Sequence, residues 1–412
     1  MKNLLHKFSI GLLFLYIASI YIFSYNEELY IISNVLFALL AGAAVLYVMM
    51  NGSMIVPKVM YSLFFFYMVM VASYFWIVKD MNVTHGNLTM VLMIGIVGII
   101  INIIVTEKDI GILLRFIYFA GIAMCLYSLA VYGFEETIAA LGDDSVIRLG
   151  KEINHENVFG IICSVTSVIG LYFAYYEKKG VYYLMTLIPI IYAFTSGSRK
   201  VILILIVSLT ILIIAKKGKS RTTTFLITAL SIVIILILIN YVKSLDLYIF
   251  KRFETFLNIF GENNTKADGS TMLRMQMIKE GIKWFLQRPI LGYGIDQYSV
   301  MFYLENGIRM YSHSNVVEVL VNYGIVGFVA YYTVYYYMLV KIIRALKRKI
   351  PYAVIMLLIF GVLTVTNLFS VVLYSKNTYI LVGTVLAYIN INKNKLNKIP
   401  EQVVEDDSEG EV

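Results

Sequence analysis

The stretch "VYYLMTLIPIIYAFTSGSRKVILILIVSLTILIIA", residues 181–215, decides the fold. It is apolar almost throughout, and Arg199 and Lys200 set two full positive charges in its middle. A bilayer's hydrocarbon core is about 30 Å thick, and a helix crosses it with about 20 apolar residues. The run divides at "SGSRK" into two segments of about 15–18 residues, roughly 22–27 Å of helix at 1.5 Å per residue. Neither has length to spare. The expectation is two membrane helices joined by a tight turn, with the charges at or slightly below the headgroup plane.

The rest of the chain agrees. Of its 412 residues 60% are hydrophobic and only 15% are charged, with mean hydropathy +0.79. Soluble domains run at about 45–50% apolar and about 25% charged. No globular core hides this much apolar surface, so the solvent is lipid. Continuous apolar runs favour helices over the alternating strands of a barrel. Twelve cores are expected, over 8–24, 29–50, 59–78, 88–105, 110–132, 157–176, 180–197, 200–215, 223–242, 316–340, 352–374 and 377–391. The first has the basic start of a secretory signal but no clear small-x-small cleavage site, and is read as a span.

Loop charges give the orientation. "EKKG" (177–180), "KKGKSR" (216–221), "KIIRALKRK" (341–349) and "NKNKLNK" (392–398) fall on one side; the loops "SYNEELY" (24–30) and "YSKNT" (374–378) on the other are nearly free of positive charge. The basic side is the cytoplasm, and both termini lie there. The net charge of +8 therefore reports membrane topology, not nucleic-acid binding. Two regions outside the membrane are long, the outer loops 133–156 and 243–312. In the second, "TMLRMQMIKEGIKWFLQRPI" is expected to form a helix stopped by Pro289. Met272, Met275, Ile278, Ile282 and Phe285 form its apolar face, which is expected to lie along the outer membrane surface. The membrane domain covers 1–398, and the acidic end 399–412 is expected to be a disordered cytoplasmic tail. Cys125 and Cys163 sit inside apolar runs and offer neither a disulfide framework nor a metal pattern.

On this topology three spans start at the outer face beside basic residues. Arg199 and Lys200 begin one; Arg148, Lys151 and His155 precede another; Arg309 and His313 precede a third, where Asn315 and Glu318 have the spacing of a capping box. Helix N-termini favour phosphate groups, so one shared anionic ligand is expected. The bland reading, in which Arg199 and Lys200 snorkel to ordinary lipid phosphates, stands beside it.

These residues resemble the O-antigen polymerase and ligase family of bacterial membrane glycosyltransferases. "HSNVVEVLVNYGIVG" (313–327) is similar to the family's outer histidine, apolar helix and late glycines, here His313, Ser314, Asn315, Gly324 and Gly327. "TSGSRK" matches its serine–arginine turn through Ser198 and Arg199. Arg274 with "RPILGYGI", through Pro289, Gly292 and Gly294, matches its arginine and glycine-rich stretch. Arg148, Gly150 and Asn157 match a looser upstream element, with His155 where relatives commonly carry proline.

The resemblance implies a bundle of about twelve helices, GT-C-like, with one large extracytoplasmic loop. It also implies glycan transfer at the outer face of the bacterial inner membrane, from an undecaprenyl-pyrophosphate-linked oligosaccharide donor to a lipid-linked acceptor. Capsular, exopolysaccharide or O-antigen-type polysaccharide is the product. Such a donor carries its own energy, so no cofactor is expected, and with no DxD or metal-ligand cluster no metal is expected; a flippase and chain-length regulator proteins are the implied partners. Arg199 is the first candidate to neutralise the departing pyrophosphate, since a guanidinium pairs bidentately with phosphate. Arg148, Arg274, Arg288, Lys200, His155 and Arg309 are supporting candidates. His313 is either the base for the acceptor hydroxyl or a pyrophosphate contact, with Glu254, Asp296, Glu305 and Glu318 as other bases. Trp284 and the tyrosines around it either stack on sugars or form an interfacial belt. Two alternatives remain open: a ligase using another acceptor, and a transporter of the same lipid.

Overall fold

The computed structural model describes residues 1–24, 28–77, 86–141, 148–215 and 269–397. All regular structure among them is helical, as lipid demands, because a helix satisfies every backbone polar group within itself. In chain order the helices are α1 (Lys2–Phe23), α2 (Tyr30–Asn51), α3 (Met60–Ala72, extended by a 3-10 turn to Trp76), α4 (Gly86–Ile103), α5 (Glu107–Ala139), α6 (Lys151–Asn154) and α7 (Glu156–Tyr176). Then come α8 (Gly180–Thr195), α9 (Arg199–Ala215), α10 (Gly269–Gln287), α11 (Gln297–Asn306), α12 (Asn315–Lys347), α13 (Ala353–Phe369), α14 (Lys376–Ile391) and α15 (Lys393–Asn397).

Eleven of the twelve expected cores coincide with helices α1–α5, α7–α9 and α12–α14; the twelfth, 223–242, and the tail lie outside the described residues. Five helices, α1, α2, α5, α7 and α12, are long and apolar enough to cross a membrane, while Met60–Trp76, Leu88–Ile103, Gly180–Thr195 and Ala353–Phe369 are apolar but shorter. One continuous apolar core runs through the bundle. Small residues set its closest approaches. A methyl on Gly121 of α5 would stand 1.8 Å from Thr166 Oγ1 of α7, and on the same interface Cys125 and Cys163 bring their sulfurs to 3.8 Å as free thiols. Arg115, a charge inside an expected span, is matched by Glu177 and by the Gly111 carbonyl, with its guanidinium 5.2 Å over Phe173.

The described part of the expected 243–312 segment is α10, α11 and their loops, docked on the first half of α12 around a second core of Met277, Trp284, Tyr298, Phe302, Val317 and Val321. The expected apolar face of α10 is left largely uncovered by the protein. Met272, Met275 and Ile282 are 58%, 43% and 47% exposed, whereas Met277 and Trp284 are fully buried. The helix carries two apolar stripes, and packing selects the one holding Trp284, whose indole N–H donates to Glu305 at 3.0 Å. The indole therefore does not face a sugar.

Docking depends on a break in α12. Gly324 leaves the helical conformation at φ 60°, ψ −162°, which frees backbone groups on either side. The turn after α10 takes them up. Tyr293 N and Gly294 N donate to the Val321 and Asn322 carbonyls at 2.9 and 2.8 Å; Ile325 N and Val326 N donate to the Pro289 and Ile290 carbonyls at 2.8 and 3.2 Å. A methyl on Gly324 would stand 2.2 Å from the Ile290 oxygen, and one on Gly292 2.5 Å from the Val321 oxygen. The stretches "RPILGYG" and "NYGIVG" are thus one joint.

Candidate functional site

The starts of α7, α9 and α12 meet at one end of the bundle. The "TSGSRK" turn closes α8 on α9, with Gly197 at φ 60°. The 148–150 turn docks on it: Arg148 Nε donates to the Ser196 carbonyl at 2.9 Å and Leu149 N to the Thr195 carbonyl at 3.2 Å. Gly160 of α7 admits this turn, since a methyl there would stand 2.4 Å from Ser196 Oγ. Two of the three basic stretches therefore touch through their backbones.

The third joins them through α12 and α13. Asn315 N donates to the Ser370 carbonyl at 2.9 Å, and Val372 N donates to Asn315 Oδ1 at 3.1 Å. The Asn315 amide nitrogen also donates to Asn367 Oδ1 at 3.0 Å and to Tyr332 Oη at 3.2 Å, and Asn367 donates to Tyr335 Oη at 3.1 Å. Lys200 Nζ then donates to Ser370 Oγ at 2.6 Å, tying α9 to the same loop. The expected capping box is corrected here. Ser314 is the N-cap; Glu318 accepts from Ser312 N at 2.9 Å, and Ser312 Oγ donates to the Ser314 carbonyl at 2.7 Å. Glu318 braces the turn that presents His313, which is itself in the left-handed region at φ 56°.

Around these contacts lies a cavity of about 650 Å³. Its lining includes the basic residues Lys200, His155 and Arg309, the polar residues Asp296, Ser299, Ser375, Asn377 and Thr378, and, from α7, α13 and α14, the apolar Val158, Ile161, Ile162, Val165, Val362, Leu363 and Leu381. Val158 to Val165 covers about 10 Å of α7 at 1.5 Å per residue, so the cavity descends about two turns into the bundle. A polar mouth over an apolar floor suits a ligand with an anionic head and a hydrocarbon tail.

The basic cluster is tight. Lys200 is 5% exposed, and among the described residues its ammonium donates to a neutral hydroxyl instead of a carboxylate. His313 is half-buried, and burial together with the charges of Arg274, Lys200 and His155 pushes its pKa down to about 4. Its imidazole is neutral at physiological pH in the free protein.

Of the residues singled out in the sequence, Lys200, His155, Arg274, Arg148 and His313 come together, with Arg309 exposed at the cavity mouth. Arg199 is half-buried at the first residue of α9; like Arg148, Arg274 and His313 it is not among the residues lining the cavity. Arg288 is exposed on the turn after α10, with its guanidinium 4.9 Å over the Tyr293 ring. His155 caps α7, its Nδ1 accepting from Asn157 N at 3.3 Å and lying 3.5 Å from Glu156. Glu254 lies outside the described residues. Sequence reading missed Ser370 and Asn367 as the frame of the site and gave Asn315 only a capping role beside its family resemblance. Asn367 had a signal, a carboxamide inside the apolar run 353–369, since a buried polar group is held by partners.

Residues 184–332 match the family model described as O-antigen ligase, a stretch that runs from α8 through the break in α12. No curated protein matches the chain.

Proposed function

We propose, from the match of residues 184–332 to the family model described as O-antigen ligase, that this protein polymerises glycan repeat units carried on an isoprenoid diphosphate. The reaction takes place at the outer face of the bacterial inner membrane and lengthens a capsular or O-antigen-type polysaccharide. One observation carries this reading: a buried basic side chain, Lys200, lines a cavity whose depth is apolar. Lipid phosphates at the surface need no such depth.

Transfer breaks the bond between the sugar's anomeric carbon and the diphosphate oxygen, and negative charge grows on the departing oxygens. Positive groups already in place stabilise that charge at no cost of reorganisation. Lys200, Arg148 and Arg274 take this part, with Lys200 in the place that the charge pattern suggested for Arg199. His313 stands among them as a neutral imidazole. An arriving diphosphate offsets the neighbouring positive charges and raises its proton affinity, which suits a hydrogen bond to the leaving group. The isoprenoid's first units fill the apolar floor between α7, α13 and α14. The basic loops 341–349 and 392–398 mark the opposite, cytoplasmic face.

Purified protein in lipid nanodiscs, given the lipid-linked repeat unit alone, tests this. A ladder of products is the expected result. Product that forms only after a second acceptor is added would make the enzyme a ligase, and absence of transfer from the lipid diphosphate under both conditions would remove the function.

A further inference from the structure

The cavity lining also includes a polar wall that the transfer step above does not use. Building on the transfer reaction above, we propose that this wall seats the acceptor sugar, with Asp296 as the base that takes the proton of the attacking hydroxyl. Asp296 lines the cavity beside Ser299, Ser375, Asn377 and Thr378, hydroxyl and carboxamide groups of the kind that pair with sugar hydroxyls. The wall comes from the start of α11 and from the 370–378 turn, whose Ser370 accepts from Lys200 at 2.6 Å.

Its backbone is fixed. Ile295 N donates to Ser73 Oγ at 3.0 Å, Ser299 Oγ donates to the Asp296 carbonyl at 3.0 Å, and Asp296 sits in the left-handed region at φ 56°. Such a conformation in a non-glycine residue persists only where its surroundings impose it.

In direct displacement the acceptor oxygen enters on the face of the anomeric carbon opposite the diphosphate. The new bond joins that oxygen to the anomeric carbon; the old bond's electron pair leaves on the diphosphate, and the acceptor's proton passes to the Asp296 carboxylate. His313 stands with the leaving-group cations, since the charges acting on it are Arg274, Lys200 and His155. Among the described residues lining the cavity the acids are Asp296 and Glu318, and Glu318 is buried in its bond to Ser312 N. Glu305 holds Trp284 and lies 3.7 Å from Lys283, away from the cavity lining.

The test uses membranes of the producing strain, which supply the lipid-linked repeat, with Asp296→Asn, Asp296→Glu and Lys200→Met at matched protein levels. Farnesyl diphosphate binding to each purified protein is the second measurement. Asp296→Asn is expected to lower the rate of polymer formation by about 10²–10⁴-fold, the usual contribution of a positioned base. It should leave farnesyl diphosphate binding unchanged, and Asp296→Glu should recover part of the rate. Lys200→Met should lose both. A wild-type rate in Asp296→Asn, or loss of farnesyl diphosphate binding in that variant, overturns the proposal. A deletion strain with unchanged polysaccharide would instead remove the transfer function itself, and this inference with it.

Discussion

His313 shows how the site's chemistry is set by neighbours. The residue type alone predicts a pKa near 6.5, within reach of either a base or a cationic phosphate contact. Burial, then Arg274, Lys200 and His155, move it to about 4. Replacing Arg274 with Met removes one of those charges, so the His313 imidazole should titrate at a higher pH while staying below 6.5, because burial remains. Histidine-labelled NMR in nanodiscs measures this, and an unchanged titration would contradict the cluster. The sign for stability follows. The folded value lies below the unfolded one, so below about pH 6.5 the unfolded chain takes up a proton that the folded chain refuses. The imidazole's contribution to stability is full above that pH and is lost as pH falls toward 4. The choice between Arg199 and Lys200 was not legible at this scale. Adjacent helical residues point about 100° apart, and which one meets the cavity depends on how the 148–150 turn and Gly160 seat the start of α9.

Among elements, the joint between the 289–294 turn and the break at Gly324 carries the consequence. It fixes α10 and α11 on α12, and with them Arg274 and Asp296. Gly324 adopts a conformation open essentially to glycine alone, and a methyl there meets the Ile290 carbonyl, which cannot move without breaking the joint. Gly324→Ala should lower the thermal unfolding midpoint, expose 269–312 to protease and abolish transfer. Gly307→Ala is the control: its φ of 73° carries the left-handed cost of about 1–2 kcal/mol, but nothing lies within 4 Å of the added methyl. Equal behaviour of the two variants would contradict the joint. Both glycine stretches were visible in the sequence, yet their pairing was not, because backbone hydrogen bonds leave no side-chain signature. The second apolar stripe of α10 escaped for a related reason: periodicity finds apolar faces but does not say which one a neighbour covers.

At the scale of the whole molecule, what was legible is what lipid dictates. Apolar runs gave the positions of α1–α5, α7–α9 and α12–α14, and charges placed at helix starts anticipated that α7, α9 and α12 meet. The cavity floor was hidden, because Val158, Ile161, Val362 and Leu381 look like any other core residues until three helices leave space between them. The central claim is that this space and the cations above it hold a lipid diphosphate. A cryo-EM map of the protein with undecaprenyl diphosphate tests it most directly. The diphosphate should lie against Lys200, Arg274, Arg148 and His313, with the first isoprene units between α7, α13 and α14. Density for the diphosphate at another surface, with this cavity empty, would contradict it.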